Sequence, residues 1–292
     1  MTTLWVLLHV AAQRDYELHS FNFSTAFMQG SLHEEIWLRR PPGFTGSFPA
    51  GTQWSLWQPV YGLRQAPREW HDTLRTTLAA LGFAPSSADP SLFLRTDTTL
   101  SLFYVLVYVD VLVFATAVTK ALALVKAELQ ERHTCTDMAP PSDESVEPSG
   151  PYPELVGCLM YLITCTRPDL AYPLSLLARY VAPVHRAWGW LLGGQGSLVP
   201  TGHSDASWAD DQATQRSSQG YTFSLGSGSV SWRSTRSSSV LSSSSEAEIY
   251  VRAMTAQELR WLTYLLTDLG ERSRSPSVLY VDNKAILALC HE

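Results

Sequence analysis

A handful of carboxylates are the groups in this chain whose types and spacing could do chemistry. Asp110 stands alone inside LFYVLVYVDVLVFA, residues 102–115. A lone acid in such a run is costly to bury unless it is paired, sits at a turn or holds a metal. Nine of the twelve residues Phe103–Phe114 are β-branched or aromatic, which favours strand over helix. Two strands joined by a tight turn would lift Asp110 to the tip of a hairpin, where it meets water or an ion. Further on, Asp205 falls on a predicted strand, Glu246 and Glu248 at the start of a predicted helix, and Asp282 at the end of another strand. Carboxylates from neighbouring strands and from a helix facing them can converge on Mg²⁺, a hard cation that prefers oxygen ligands. Paired ions of this kind stabilise the attacking and leaving oxygens of a phosphoryl transfer. The pattern leaves open whether Glu246 or Glu248 faces the sheet.

The elements that would position the second set of acids are readable. His203–Trp208 begins a strand, and Gly220–Leu225 and Val230–Ser234 are short strands joined by Gly226-Ser227-Gly228-Ser229, a hairpin signal. The tract Ser237–Ser245 leads into a helix for which Ser245 is a good cap. Leu262, Leu265, Leu266 and Leu269 lie at core spacing in it, and Gly270 is placed to stop it. A strand at Val278–Val281 and a short helix from Asn283 complete the order β-β-β-α-β-α. Asp205 is then on the first strand, Glu246 and Glu248 open the long helix, and Asp282 ends the fourth strand.

With 292 residues the chain has room for about two domains. Residues 1–138 mix helical and strand patterns, and Leu4–Ala12 reads as an amphipathic or buried helix. Residues 139–153, APPSDESVEPSGPYP, read as a linker. Residues 154–202 look helical as far as Trp190, interrupted by Pro168 and Pro173, and break at Gly193–Gly202. The last segment is 203–292.

Bulk properties narrow the function. The 21 basic residues against 27 acidic ones are a warning for any phosphate-binding role, because Lys and Arg supply most affinity for nucleic acid. A local groove can still be basic, and Arg39, Arg40, Arg64 and Arg68 are the candidates. Cys135, Cys158, Cys165 and Cys290 show no CxxC pair and read as thiols of a reducing compartment. Leu4–Ala12 lacks the basic flank and cleavage site of a signal peptide. Asp110 and a β-rich make-up argue against a membrane span at Leu100–Val118. An intracellular protein, cytoplasmic or nuclear, is the expectation.

Ten strings in order carry a family resemblance. They include AAQRDYELHSFNFSTAFMQG (Ala11–Gly30), EEIWLRRPPGF (Glu34–Phe44), VYGLRQAPREW (Val60–Trp70), YVDVLVFA (Tyr108–Ala115), SDASWADD (Ser204–Asp211), SSSEAE (Ser243–Glu248) and YVDNKAILAL (Tyr280–Leu289). Together they resemble the reverse transcriptase–RNase H region of a copia-type LTR retrotransposon polyprotein, over nearly the whole chain. The resemblance implies an α+β polymerase palm/fingers fragment followed by an incomplete α/β RNase H-like domain. It implies RNA-directed DNA synthesis and RNA–DNA hybrid cleavage, with Mg²⁺ or Mn²⁺ as cofactor and RNA, DNA or their hybrid as partner. By the same resemblance Asp205, Glu246 and Asp282 fall on three of four RNase H acids, with the fourth expected beyond residue 292. Asp110 is the one palm carboxylate present.

The departures shape the functional expectation. Where the family carries an aspartate before its AF(L/M)xG string this chain has Asn22, and YVDD is replaced by YVDV, with Val111 in the last place. A thumb-like stretch of the family is missing between Met138 and Pro151. The resemblance with these changes implies an inactive polymerase site, with weak RNase H activity as the remaining enzymatic prospect. The alternatives are a non-enzymatic RNA or RNA–DNA binding protein and a non-functional element remnant.

Overall fold

The chain opens on a helix, α1 (Thr2–Arg14), which ends where Asp15 takes a left-handed backbone with φ 54°. In this computed structural model residues 2–39, 53–96, 102–138, 197–211, 213–226, 228–273 and 275–282 are described. They fall into two compact units: one lies within residues 15–139, and the other joins α1 to the residues after 140.

The first unit follows from the apolar runs. Its strands are β1 (Glu17–Phe23), the small pair β2 (Trp37–Arg39) and β3 (Gln53–Ser55), β4 (Ala84–Pro85), β5 (Leu92–Thr96), β6 (Leu102–Tyr108), β7 (Val111–Thr116) and β8 (Cys135–Asp137). Helix α2 (Ala66–Ala80) precedes β4, and α3 (Thr119–Arg132) lies between β7 and β8. Six strands make one antiparallel sheet in the order β4-β5-β6-β7-β1-β8. Trp70, Leu74 and Leu78 of α2 and Leu122, Val125 and Leu129 of α3 bury against Phe21, Phe23, Phe103, Val105 and Phe114 of the strands. Phe23 meets Trp70 edge-on at 5.0 Å between ring centroids, and Phe21 meets Phe114 edge-on at 5.6 Å. Such pairs add about 0.5–1.5 kcal/mol each beyond the area they bury. This core fixes the β6–β7 hairpin and the β1 strand beside it.

The second unit contains β9 (Pro200–Ser207), β10 (Ser218–Leu225), β11 (Gly228–Arg236), α4 (Ser244–Asp268) and β12 (Val278–Tyr280). The sheet order is β11-β10-β9-β12; β10 is antiparallel to both its neighbours, and β12 runs parallel to β9. Helix α4 packs on β9 and β10 through a face that buries Val251, Leu262, Leu265 and Leu266. It ends at Asp268 with Leu269 as its cap, and Gly270 follows with φ 77°, the left-handed stop for which glycine has no steric penalty. Among the described residues no helix is long and apolar enough to cross a membrane.

Several sequence expectations need correction. The first strand begins at Pro200, so Gly202 lies inside it and not in a break. The ring of Phe223 sits where a side chain on Gly202 would go, so this glycine marks close packing between β9 and β10. The cap of α4 is Ser243 and not Ser245: its hydroxyl accepts from the Glu246 amide at 3.1 Å. Helix α1 heads the segment 1–138 in sequence and packs in the second unit, where Trp5 meets Trp232 of β11 at 6.3 Å. Arg14 also donates to Glu271, beyond the end of α4, at 2.6 Å. An apolar helix face shows that burial is required but not which sheet supplies it. The linker at 139–153, the helical reading of Glu154–Trp190 and the helix from Asn283 lie outside the described residues.

A first prediction arises here. Val10 in α1 is fully buried. Val10→Asp in the intact chain is expected to raise amide hydrogen exchange across β10, β11 and α4 while leaving β5–β7 protected. Loss of protection confined to residues 15–139 would place α1 wrongly.

Candidate metal centre

Three carboxylates meet in the second unit. Asp205 comes from β9 and Glu248 from the second turn of α4. Asp282 lies two residues past β12. One oxygen from each lies within 4.8 Å of the others. The parallel pairing of β12 with β9, with Tyr280 opposite His203, brings the two aspartates alongside each other. The helix, packed on β9, then delivers Glu248 from the side.

The environment of Glu248 is unusual for a carboxylate. It is 5 % exposed, and its Oε2 has no hydrogen-bond partner. Burial pushes its pKa above the ordinary value, and the charges of Asp282 and Asp205 push it the same way. A hydrogen bond donated by the Ala206 backbone N–H and the charge of Arg252 oppose this more weakly. A buried, unpaired carboxylate oxygen facing two other acids is the arrangement that a hard divalent cation relieves, since it supplies the missing charge. The donor set, all carboxylate oxygen, fits Mg²⁺ or Mn²⁺.

The raised pKa sets the pH response of the metal-free protein. Its folded form holds the Glu248 proton more tightly than the unfolded chain does. The stabilisation is therefore complete below the unfolded value near 4.5 and is lost as pH rises through the folded value. In a chelator, the melting temperature of the second unit should fall over that range relative to Glu248→Gln. Divalent cation should reverse the fall; equal pH profiles for wild type and variant would contradict the site's electrostatics.

Glu246, the acid matched by sequence, does something else. Its Oε2 accepts from both the amide and the hydroxyl of Ser242, each at 2.6 Å, while its own amide bonds to Ser243. These bonds lower its pKa, led by the Ser242 hydroxyl. This is the reciprocal capping of a helix start. The geometry therefore brings Glu248, and not Glu246, to Asp205 and Asp282. Phasing would have revealed this: Glu248 is fourteen residues before Leu262, about 40° off its direction at 100° per residue, whereas Glu246 points roughly 160° away. The core leucines thus set which acid faces the sheet.

A cavity of about 760 Å³ opens beside the acids, lined by His203, Asp205, Tyr221, Arg233, Tyr280 and Asp282 among others. Burial, with Glu258 nearby, pushes the Tyr221 phenol up to about 12, so it stays a neutral donor.

The first unit holds the other sequence candidate, Asp110. Tyr108 pairs with Val111 across the β6–β7 hairpin, leaving Val109 and Asp110 as the turn. Val109 is left-handed at φ 56°, a strained state for a β-branched residue that costs about 1–3 kcal/mol. Its carbonyl accepts from the Trp70 indole at 2.7 Å, and the Asp110 carbonyl accepts from the Phe23 amide at 2.7 Å. Asn22 pairs with Val111 in register, so the three positions 22, 110 and 111 do converge at one end of the sheet. They bring together one carboxylate, one amide and one isopropyl group. The buried Asn22 Oδ1 has no hydrogen-bond partner.

Three of the four arginine candidates lie among the described residues. Arg39 lies on β2, Arg64 precedes α2 and Arg68 is on α2, all exposed. Arg68 is paired loosely with Asp72 at 3.9 Å and lines a cavity with His33 and Glu69. Arg40 lies outside the described residues.

An antiparallel sheet with helices on it and an acid at a hairpin turn is the framework of a nucleic-acid polymerase palm, and comparison with known proteins agrees. Residues 1–143 match the family described as "Reverse transcriptase (RNA-dependent DNA polymerase)". Almost the whole chain (99 %) aligns with "Retrovirus-related Pol polyprotein from transposon RE2" of Arabidopsis thaliana at 30 % identity, with that from transposon RE1 of the same plant at 29 %, and with that from transposon TNT 1-94 of Nicotiana tabacum at 25 %. The chain carries the reverse transcriptase domain of copia-type retrotransposon Pol polyproteins. It spans about a quarter of the length of these relatives: 24 %, 24 % and 27 %. The alignment to the first runs over 357 positions, more than the chain's 292 residues. That relative therefore carries residues inside the matched span that this chain lacks.

Proposed function

We propose that the second unit is an RNase H-like domain that cleaves the RNA strand of an RNA–DNA hybrid, and that the first is a polymerase palm and fingers remnant without polymerase activity. The observation that carries the reading is the meeting of Asp205, Glu248 and Asp282 within 4.8 Å, with a buried Glu248 oxygen left unpartnered. The sheet order, with α4 between an antiparallel trio and a parallel fourth strand, supports the same reading. Mg²⁺ or Mn²⁺ held by these three carboxylates would activate water and stabilise the leaving 3′ oxygen. The protein's part is to fix the three carboxylates in advance: two on paired strands, the third on a capped helix, so little ordering remains to be done on binding.

The polymerase half lacks ligands. Asn22 offers a neutral amide oxygen and Val111 none, so Asp110 would have to hold two cations alone. The residues present in the RE2 relative but not here accord with a missing thumb-like stretch, which would weaken the grip on a template–primer duplex. A second reading, a non-enzymatic RNA or RNA–DNA binding protein that keeps both scaffolds, is favoured by those same two substitutions. A non-functional remnant would bind neither cation nor hybrid.

The test uses the purified full chain, an RNA–DNA hybrid, and Mg²⁺ or Mn²⁺, beside Asp205→Asn. Metal-dependent RNA cleavage lost in the variant is expected. Hybrid binding without cleavage would favour the binding reading, and neither would leave the remnant.

A further inference from the structure

His203 and Tyr280 are directly paired positions on β9 and β12. Their rings stack at 4.9 Å between centroids with planes 18° apart. Each stands two residues before one of the aspartates of the candidate centre, His203 before Asp205 and Tyr280 before Asp282. Side chains two apart on an extended strand point to the same face, about 6.6 Å apart along it. His203 and Asp205 are thus on one face of the sheet, Asp282 follows just past Tyr280, and all four line the same cavity of about 760 Å³.

Tyr280 remains 54 % exposed, although a phenol ring of that size gains from being covered. Thr222, paired with His203, and Ser234, paired with Gly220, put hydroxyl groups on the same face. A flat, partly exposed ring pair beside hydroxyl groups has the chemistry that receives a nucleotide: a π-face for the base and donors for the sugar.

We propose that His203 and Tyr280 form a stacking platform for the nucleotide next to the one whose phosphate meets Asp205, Glu248 and Asp282. This rests on the RNase H reading of the acids, and it adds how the strand is held in register. Stacking on a side chain is indifferent to base identity, so the platform positions the strand without selecting its sequence.

The experiment uses the full chain and a fluorescein-labelled RNA–DNA hybrid of twenty base pairs. Affinity is measured in EDTA, where cleavage cannot occur, and Mn²⁺ uptake is measured separately by calorimetry. Tyr280→Ala is expected to weaken hybrid binding roughly tenfold, since stacking contributes about 1–3 kcal/mol per base. Tyr280→Phe should retain it, and both variants should take up Mn²⁺ as the wild type does. In turnover, Tyr280→Ala should raise KM with little change in kcat. Equal hybrid affinity in wild type and Tyr280→Ala, equal losses in the Ala and Phe variants, or no hybrid binding by the wild type would each overturn the platform. If the wild type takes up no Mn²⁺ yet binds hybrid through Tyr280, the metal reading fails while the platform stands.

Discussion

Glu248→Gln is expected to abolish divalent-cation uptake by the second unit, while Glu246→Gln leaves it intact. The two acids are two residues apart on one helix, and only their direction differs. Glu248 is buried against Asp205 and Asp282, and its Oε2 has no other partner. Glu246 is occupied with Ser242 at the helix start. Groups that merely orient a metal ligand cost about 10–100-fold in affinity when removed, so losing a ligand should cost at least about 100-fold. Glu248→Gln should also stabilise the metal-free protein at neutral pH, because an amide has no charge to desolvate or to repel the aspartates. Glu246→Gln should instead loosen the first turn of α4. Calorimetric titration with Mn²⁺, beside thermal melts in chelator, reads all of these outcomes. Loss of uptake in Glu246→Gln with retention in Glu248→Gln would reverse the assignment.

The second large effect concerns the β6–β7 hairpin. The wild-type chain should extend no primer, and the pair Asn22→Asp and Val111→Asp should create a new cation site there. Positions 22 and 111 face each other in register beside Asp110, so the backbone for three converging carboxylates is already in place. Without cation, two added charges near a half-buried acid should destabilise the first unit by about 1–3 kcal/mol. Thermal melts should therefore show the double variant melting below wild type in EDTA and regaining the difference in Mn²⁺. The wild type should show no such gain from that unit. Primer extension by the unaltered chain would mean that Asp110 suffices, against the ligand count.

Much of this was legible in residue order. The β-branched and aromatic run around Asp110 specified a hairpin, because no other arrangement pairs those backbones and leaves the acid at a turn. In the second unit, alternation and glycine placement gave three strands, a helix and a fourth strand, each bounded to within a few residues. Three things were hidden. Gly202 read as a break because a glycine's signal for flexibility and for close packing is the same letter. Helix α1 carries an apolar face without an address, and the strand it packs on lies more than two hundred residues away. The Glu246 and Glu248 ambiguity needed the helix to be phased from its distant leucines, since local motif spacing cannot tell a capping acid from a sheet-facing one.

One primer-bearing RNA template tests the central claim most directly. A labelled DNA primer annealed to a labelled RNA, incubated with the full chain, nucleotides and Mn²⁺, reports both activities in the same tube. The RNA should be shortened within the hybrid while the DNA primer keeps its length, and Glu248→Gln should stop the shortening. An extended primer with intact RNA would contradict the claim.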